Sequence, residues 1–222
     1  MRVDWYGQAA FRLSGQDGTV FIDPFGDMSA AAAHGMQFNY PPIEGVEADL
    51  LLVTHEHGDH NGVEVIAGNP TVIRSSAGRH ESPVGEVVAI SSEHDEAAGT
   101  ERGHNVIFSF KLGGLRVAHF GDFGQRSLRD EQADAIGDVD LLFLPVGGGL
   151  TIGAEQAAAI THRLGPKWVV PMHYRTARIN FLEPADAFLE KMPSVERLSE
   201  TGFDTDSLSG DNGPRAVVPA AP

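Results

Sequence analysis

The sequence predicts one domain of mixed α/β class. Short apolar runs separated by turn residues occur along the whole chain, which is typical of β-strands. Helical periodicity is found mainly in the second half. The 222 residues, of which 41% are hydrophobic, are enough for one well-buried core, and the composition does not change between the two halves. We therefore interpret residues 1–222 as a single domain.

Strand predictions dominate the first half of the chain. A short helical pattern at 62–67 interrupts the strands. The glycines and the aspartate at 14–18 suit a hairpin turn between two of them. The predicted strands are residues 3–6, 10–13, 19–22, 49–54, 71–73 and 86–90.

Helices and strands alternate in the second half. The pair Gly113-Gly114 between two β-rich runs is a strong hairpin signal. Residues 199–214 are rich in Gly, Ser and Asp, which predicts a long loop. The predicted strands are 105–112, 115–120, 140–144, 167–171 and 215–218, and the predicted helices are 127–136, 154–164 and 185–190.

The charge balance argues against two classes of partner. The chain has 31 acidic and 16 basic residues, a net charge of −15, which would repel a nucleic-acid backbone. Lysine is found only at Lys111, Lys167 and Lys191, so the sequence offers no lysine-rich surface for anionic lipid. No segment approaches the ~18 apolar residues of a membrane span. We expect no nucleic-acid or membrane partner, and a cytoplasmic location.

Candidate metal ligands follow directly after the predicted strand at 49–54, in the run His55-Glu56-His57-Gly58-Asp59-His60. Alternate side chains of an extended segment share a face, so His55 and His57 can hold one cation. Gly58 allows a sharp turn that brings Asp59 and His60 beside them, and a carboxylate with an imidazole suits a second cation. Since the chain has no cysteine, every ligand must be nitrogen or oxygen. The alternative, a solvated loop that merely collects histidines, is disfavoured by this density of ligand types after an apolar strand.

The spacing His55-x-His57-x-Asp59-His60 resembles the signature of the metallo-β-lactamase superfamily. The segments Leu144-Pro145-Val146-Gly147-Gly148 and Val170-Pro171-Met172-His173-Tyr174 resemble its ascorbate-phosphate-lactonase-like and uncharacterised hydrolase branch. This resemblance implies an αβ/βα sandwich of two mixed β-sheets with helices on the outer faces. It also implies three later ligands from separate loops, which here are His94, Asp122 and His173.

Each of these later ligands has a competing interpretation. His80 and His104 also lie between the motif and Asp122, although their polar surroundings favour a surface position and therefore favour His94 as the ligand. Asp122 is alternatively a turn residue after a strand, and His173 a polar residue that ends a buried strand. His119 is either a residue that orients Asp122 or an ordinary strand histidine.

The resulting prediction is a hydrolase with two divalent metal ions, zinc first and manganese, iron or nickel as alternatives. Two cations that share Asp122 and a bridging water would make hydroxide available near neutral pH, and Asp59 would help to orient it. The predicted substrate is a small ester, lactone or phosphodiester, contacted by Tyr174, Arg175 and Asn180, which are alternatively ordinary residues of a surface loop. Backbone amides at 147–151 could bind an anion, although glycines before a helix more often form only a turn. The alternatives are a non-catalytic metal-binding or di-iron redox protein and a closed structural metal site. Homo-oligomerisation is left open.

Overall fold

Most of the strands form two packed sheets in a computed structural model of the chain, which describes residues 1–208 and 213–222. Along the first third, the strands are β1 (Arg2–Gly7), β2 (Ala10–Gly15), β3 (Gly18–Ile22), β4 (Val46–Glu47), β5 (Leu50–Val53), β6 (Ile66–Ala67) and β7 (Thr71–Arg74). Along the remainder, they are β8 (Gly78–Ser82), β9 (Gly85–Glu93), β10 (His104–Leu112), β11 (Leu115–His119), β12 (Leu141–Pro145), β13 (Trp168–Met172), β14 (Ser194–Arg197), β15 (Gly202–Asp204) and β16 (Arg215–Val218). The α-helices are α1 (Asp130–Ile136), α2 (Ala154–Leu164) and α3 (Asp186–Leu189).

The two mixed sheets share one core between their inner faces. In the described part of the chain, one sheet has the order β15-β1-β2-β3-β5-β7 and the other β14-β16-β13-β12-β11-β10-β9-β8, while β4 and β6 form a separate two-stranded sheet. Side chains alternate along a strand, so Val20 and Ile22 of β3 enter the core while Phe21 faces outward. The predicted sandwich of two mixed sheets is confirmed.

The two outer faces are covered in different ways. Helix α1 packs on β9 and α2 on β12, so these helices cover the eight-stranded sheet. The outer face of the six-stranded sheet is covered instead by the segment 23–48, with Phe25, Tyr40 and Ile43 packed on Phe21 and Leu51. None of the helices in residues 1–208 and 213–222 is long and apolar enough to cross a membrane.

Three of the strands that the sequence did not predict lie at the edges of the two large sheets. β8 and β14 are the two edges of the eight-stranded sheet, and β15 is an edge of the other. The prediction of a loop over 199–214 was therefore wrong at Gly202–Asp204, which pairs with β1; residues 209–212 lie outside the described residues. An edge strand is exposed and is often polar, so it shows no clear apolar pattern.

Two helix predictions also need correction. The segment 62–67 forms a 3-10 turn, Val63–Val65, followed by the short strand β6. The helix predicted to begin at 127 begins at Asp130, because the side chain of Gln132 accepts a hydrogen bond from the amide of Arg129 and caps the helix there.

The directions of the strands bring the loops after β9, β11 and β13 to the same side of the eight-stranded sheet. β9 and β11 are both antiparallel to β10 and therefore run in the same direction, and β12 and β13 are parallel to β11. The carboxyl ends of these strands consequently meet at the same edge of the eight-stranded sheet. His94 follows β9, Asp122 lies just beyond β11 and His173 follows β13.

Candidate metal centre

Histidine and aspartate side chains from both sheets form two neighbouring groups. Each residue offers one ligand atom, and within each group these ligand atoms all lie within 4.8 Å of one another. His55 and His57 come from the end of β5 in the six-stranded sheet, while the other two members of the first group come from the eight-stranded sheet. The first group is His55, His57, His94 and Asp122, and the second is Asp59, His60 and His173.

Asp122 lies between the two groups. Its Oδ2 is 3.0 Å from Nε2 of His94 and 3.2 Å from Nε2 of His173, and its Oδ1 is 3.2 Å from Nε2 of His60. Within the described residues, His60 Nε2, His173 Nε2 and Asp122 Oδ1 are buried without a hydrogen bond. Buried polar atoms are normally paired, so this convergence of nitrogen and oxygen atoms fits a cation.

Asp23, which the sequence analysis did not select, fixes two of the histidines. Its Oδ2 lies 2.9 Å from Nδ1 of His60 and accepts a hydrogen bond of 2.7 Å from the Thr54 hydroxyl. The same hydroxyl is 3.0 Å from Nδ1 of His55 and is left to accept from it. Both rings then carry their proton on Nδ1 and turn Nε2 towards Asp122. A carboxylate behind a histidine is the usual device for orienting a metal ligand.

Gln8 is a second contributor that the sequence analysis missed. Its Nε2 donates a hydrogen bond of 3.0 Å to Oδ2 of Asp59, and its side chain is fully buried. Gln8, Asp23 and His173 all have positive φ, between 49° and 51°. Such a conformation is uncommon for residues other than glycine and is concentrated at functional sites.

Glycines allow the ligand loops to approach one another. A Cβ atom at Gly147 would collide with the carbonyl of His173, and one at Gly124 would collide with the carbonyl of His94. The amides of Gly147 and Gly148 donate hydrogen bonds to the carbonyls of His173 and Ile152. The prediction that the amides at 147–151 bind an anion is therefore wrong for these two residues, since both amides already have partners.

The structure distinguishes the three candidates for the histidine ligand between the His55–His60 motif and Asp122. His94 is 2% exposed and lies against Asp122. His80 lies in β8 with its ring 2.9 Å from the carbonyl of Ser76, and His104 is exposed at the start of β10. His119 is a buried strand residue whose Nδ1 accepts a hydrogen bond from Gly121, next to Asp122, so it supports that loop.

The buried charges act on one another strongly. Burial opposes a charged His60, but the carboxylates of Asp122 and Asp59 outweigh it and raise the pKa of His60 well above its ordinary value. Burial likewise opposes the charged form of Asp122, yet His173 and His60 hold its pKa well below the ordinary value. Burial and the neighbouring His60 lower the pKa of His55. The carboxylates thus favour positive charge at this place.

Each of the three residues predicted to contact substrate has a partner within the chain. Tyr174 is buried, its ring stacks on Trp5 with centroids 5.7 Å apart, and burial raises its pKa. Tyr174 therefore lies in the predicted loop after His173 but is buried there, and its contact with substrate stays a prediction. Arg175 is exposed and its side chain hydrogen-bonds Glu183. The side-chain oxygen of Asn180 accepts a hydrogen bond of 2.9 Å from the amide of Gln37.

The chain has relatives among known proteins. A family model described as "Beta-lactamase superfamily domain" matches residues 2–173. A UPF0173 metal-dependent hydrolase of Thermococcus onnurineus (strain NA1) is 32% identical over 204 residues, which cover 79% of this chain and 85% of that protein.

Solved structures give the same result for the fold. A crystal structure from Thermotoga maritima, described as a Zn-dependent hydrolase of the metallo-β-lactamase superfamily, has a TM-score of 0.78 and 28% identity, and 99% of each chain is covered. The di-iron β-hydroxylase CmlA of Streptomyces venezuelae has a TM-score of 0.53 and 18% identity, over 78% of this chain and 44% of that one, and shares the fold alone.

Proposed function

The chain belongs to the metallo-β-lactamase superfamily and to its UPF0173 family of metal-dependent hydrolases, and we propose that it uses two divalent cations to hydrolyse a small ester, lactone or phosphodiester. One observation carries the dinuclear part of the proposal. Among the described residues, Asp122 Oδ1, which belongs to the first group, and Nε2 of His60 and His173, which belong to the second, are buried without a hydrogen bond.

The two groups would hold one cation each and share Asp122. The first offers three imidazoles, His55, His57 and His94, and the second offers His60, His173 and the carboxylate of Asp59. Zinc suits such a set of nitrogen and oxygen donors best, and manganese, iron or nickel are alternatives. When bound, the cations supply Lewis acidity, which lowers the pKa of water and polarises a carbonyl or phosphoryl oxygen.

The protein's own residues would position the reacting groups. Asp23 and Thr54 hold His60 and His55 in one tautomer, so neither ring needs to reorient during the reaction. Gln8 fixes the carboxylate of Asp59, and we assign to that carboxylate the orientation of the attacking water. The net charge of −15 favours small neutral substrates over polyanions. We place this activity in the cytoplasm, with a small molecule as the partner.

The test combines metal content with hydrolysis. The protein is stripped with chelator, reloaded with Zn, Mn, Fe or Ni, and assayed on lactones, esters and phosphodiesters beside His57→Ala, Asp122→Ala and the control His80→Ala. We expect about two cations per chain in the wild type and the control, and loss of both metal and turnover in the other variants. Iron with redox activity but without hydrolysis would support the di-iron alternative, and no metal uptake after reloading would refute the proposal.

A further inference from the structure

An apolar groove lies beside the candidate metal centre. Its volume is about 880 Å³, and its lining includes Phe25, Met28, Phe38, Tyr40, Ile43 and Val65. Met28, Phe38 and Val65 are only partly buried, so the groove has an apolar surface that is open to a ligand. This volume is in the range of small-molecule sites.

One wall of the groove is attached to the His55–His60 motif. The amide of Gly62 donates a hydrogen bond of 2.7 Å to the carbonyl of Pro24, and a Cβ atom at Gly62 would collide with the backbone at Phe25. Met28 Sδ lies 3.8 Å from the position of a Cβ atom at Gly58, between two ligand candidates. The residues from Pro24 to Met28 therefore run along the motif.

The other wall is attached to the loop that follows His173. The amide of Asn39 donates a hydrogen bond of 2.9 Å to the carbonyl of Arg178, and Phe38 forms a β-bridge with Ile179. The Tyr40 hydroxyl lies 3.1 Å from that of Thr176. The groove-forming segment thus joins the loops of Asp59, His60 and His173, which are the three residues of the second ligand group.

We propose that this groove binds the apolar part of the substrate, an acyl chain or an aliphatic ring. The inference rests on the proposed function and narrows it to uncharged esters and lactones with an apolar substituent. Asp27 and Glu44 are exposed at the groove and would repel a carboxylate or phosphate on that substituent. Burial of each methylene group in the groove stabilises the complex.

The first experiment compares p-nitrophenyl acetate, butyrate, hexanoate and octanoate as substrates of the metal-loaded protein. We expect kcat/KM to rise about 3-fold per added methylene until the groove is filled. Met28→Gln and Val65→Thr replace apolar atoms of the lining with polar ones, and we expect each to lower the ratio of kcat/KM for octanoate to kcat/KM for acetate about 5-fold. Val72→Thr, at a 47% exposed position in β7, is the control and should match the wild type. If kcat/KM does not depend on the length of the acyl chain, the inference is overturned while the hydrolase proposal stays intact.

The second experiment measures binding without turnover. Octan-1-ol is titrated into the ¹⁵N-labelled full chain, with butan-1-ol as the comparison. We expect saturable amide shifts at Gly26, Met28 and Asn39 with octanol, at concentrations where butanol gives none, and weaker octanol binding by Met28→Gln. If these amides do not respond, the groove is not the apolar subsite, whatever the enzyme hydrolyses. Octanol binding in a protein that hydrolyses no ester or lactone would instead support the groove and contradict the proposed function.

Discussion

Two aspartates at opposite ends of neighbouring strands show how the amino ends and the carboxyl ends of the strands differ in the eight-stranded sheet. Asp140 precedes β12, where its Oδ2 accepts a hydrogen bond of 2.9 Å from the amide of Arg116 and its Oδ1 is 2.7 Å from Nζ of Lys167. Asp122 follows β11, is buried among three histidines, and has an Oδ1 atom without a hydrogen bond in the described residues.

This difference between the two ends of the strands separates residues that stabilise the fold from residues that bind metal and support turnover. At the amino end of the strands the polar groups are paired and solvated, so they contribute to folding at small cost. At the carboxyl end, buried charges and positive φ angles are tolerated because the surrounding sheets hold them. Residues of the first kind should affect the free energy of unfolding, and residues of the second kind should affect metal binding and turnover.

The largest expected effect is that of Asp122→Asn. The amide removes a negative charge that both ligand groups share, so we expect turnover to fall by more than about 100-fold, beyond the loss typical for residues outside the ligand shell. Metal content by mass spectrometry should drop below that of the wild type. Asp140→Asn is the matched control and should retain both metal and turnover. An equal loss of metal and turnover in the two variants would contradict the distinction between the amino and carboxyl ends of the strands.

Asp23→Asn should give a smaller and selective effect. The asparagine is nearly isosteric but is a poorer acceptor for His60 Nδ1, so the affinity for the second cation should fall about 10- to 100-fold. Competition with a chelating dye measures this loss. Affinity for the first cation, held mainly by His57 and His94, should change less. If both affinities fall equally, Asp23 supports the whole loop rather than the His60 ring.

Gly147→Ala tests the steric requirement at the His173 loop. The added methyl group would collide with the carbonyl of His173, and we expect a loss of about 1–3 kcal/mol in the free energy of unfolding measured in urea. Gly153→Ala is the control, because a Cβ atom there meets its nearest atom at 3.6 Å; it should cost less than about 1 kcal/mol. Equal losses would show that the loop can relax.

The smallest expected effect is that of Asp140→Asn on stability. Partial burial acts to raise the pKa of Asp140, but Lys167 and the amide of Arg116 outweigh it and lower that pKa. The folded protein therefore favours the carboxylate, and its contribution is present above the unfolded pKa and is lost as the pH falls through the folded pKa. Since Lys167 is 56% exposed, we expect about 0.5–1 kcal/mol at pH 6. The difference from wild type should shrink as the pH falls through the folded pKa. Urea unfolding at several pH values, with the exposed Asp138→Asn as control, measures it.

The central strands and the ligand motif could be predicted because both leave a local pattern. Buried strands are continuous apolar runs, and closely spaced histidines after such a strand are rare without a metal. Edge strands such as β8 and β14 lack this pattern, since they pair on one side only and face solvent.

The supporting residues could not be predicted, because their roles depend on distant neighbours. Asp23 follows β3 as His55 follows β5, and the only local signal was an acidic residue after an apolar run. The sequence around Gln8 gives no signal of its role. Its hydrogen bond to Asp59 joins the turn between β1 and β2 to the His55–His60 motif, which is distant in the sequence. The burial of Tyr174 could not be predicted because its neighbour Trp5, at the other end of the chain, cannot be inferred from the sequence around it.

The ligand candidates come from both sheets, and this has a consequence for how the protein matures. His55, His57 and His60 follow a strand of the six-stranded sheet, while His94, Asp122 and His173 follow strands of the other. Neither ligand group can be complete until the two layers have docked. Metal capture is then a late event in biogenesis, and a loaded cation acts as a crosslink between the layers that slows their separation and lengthens the lifetime of the native chain.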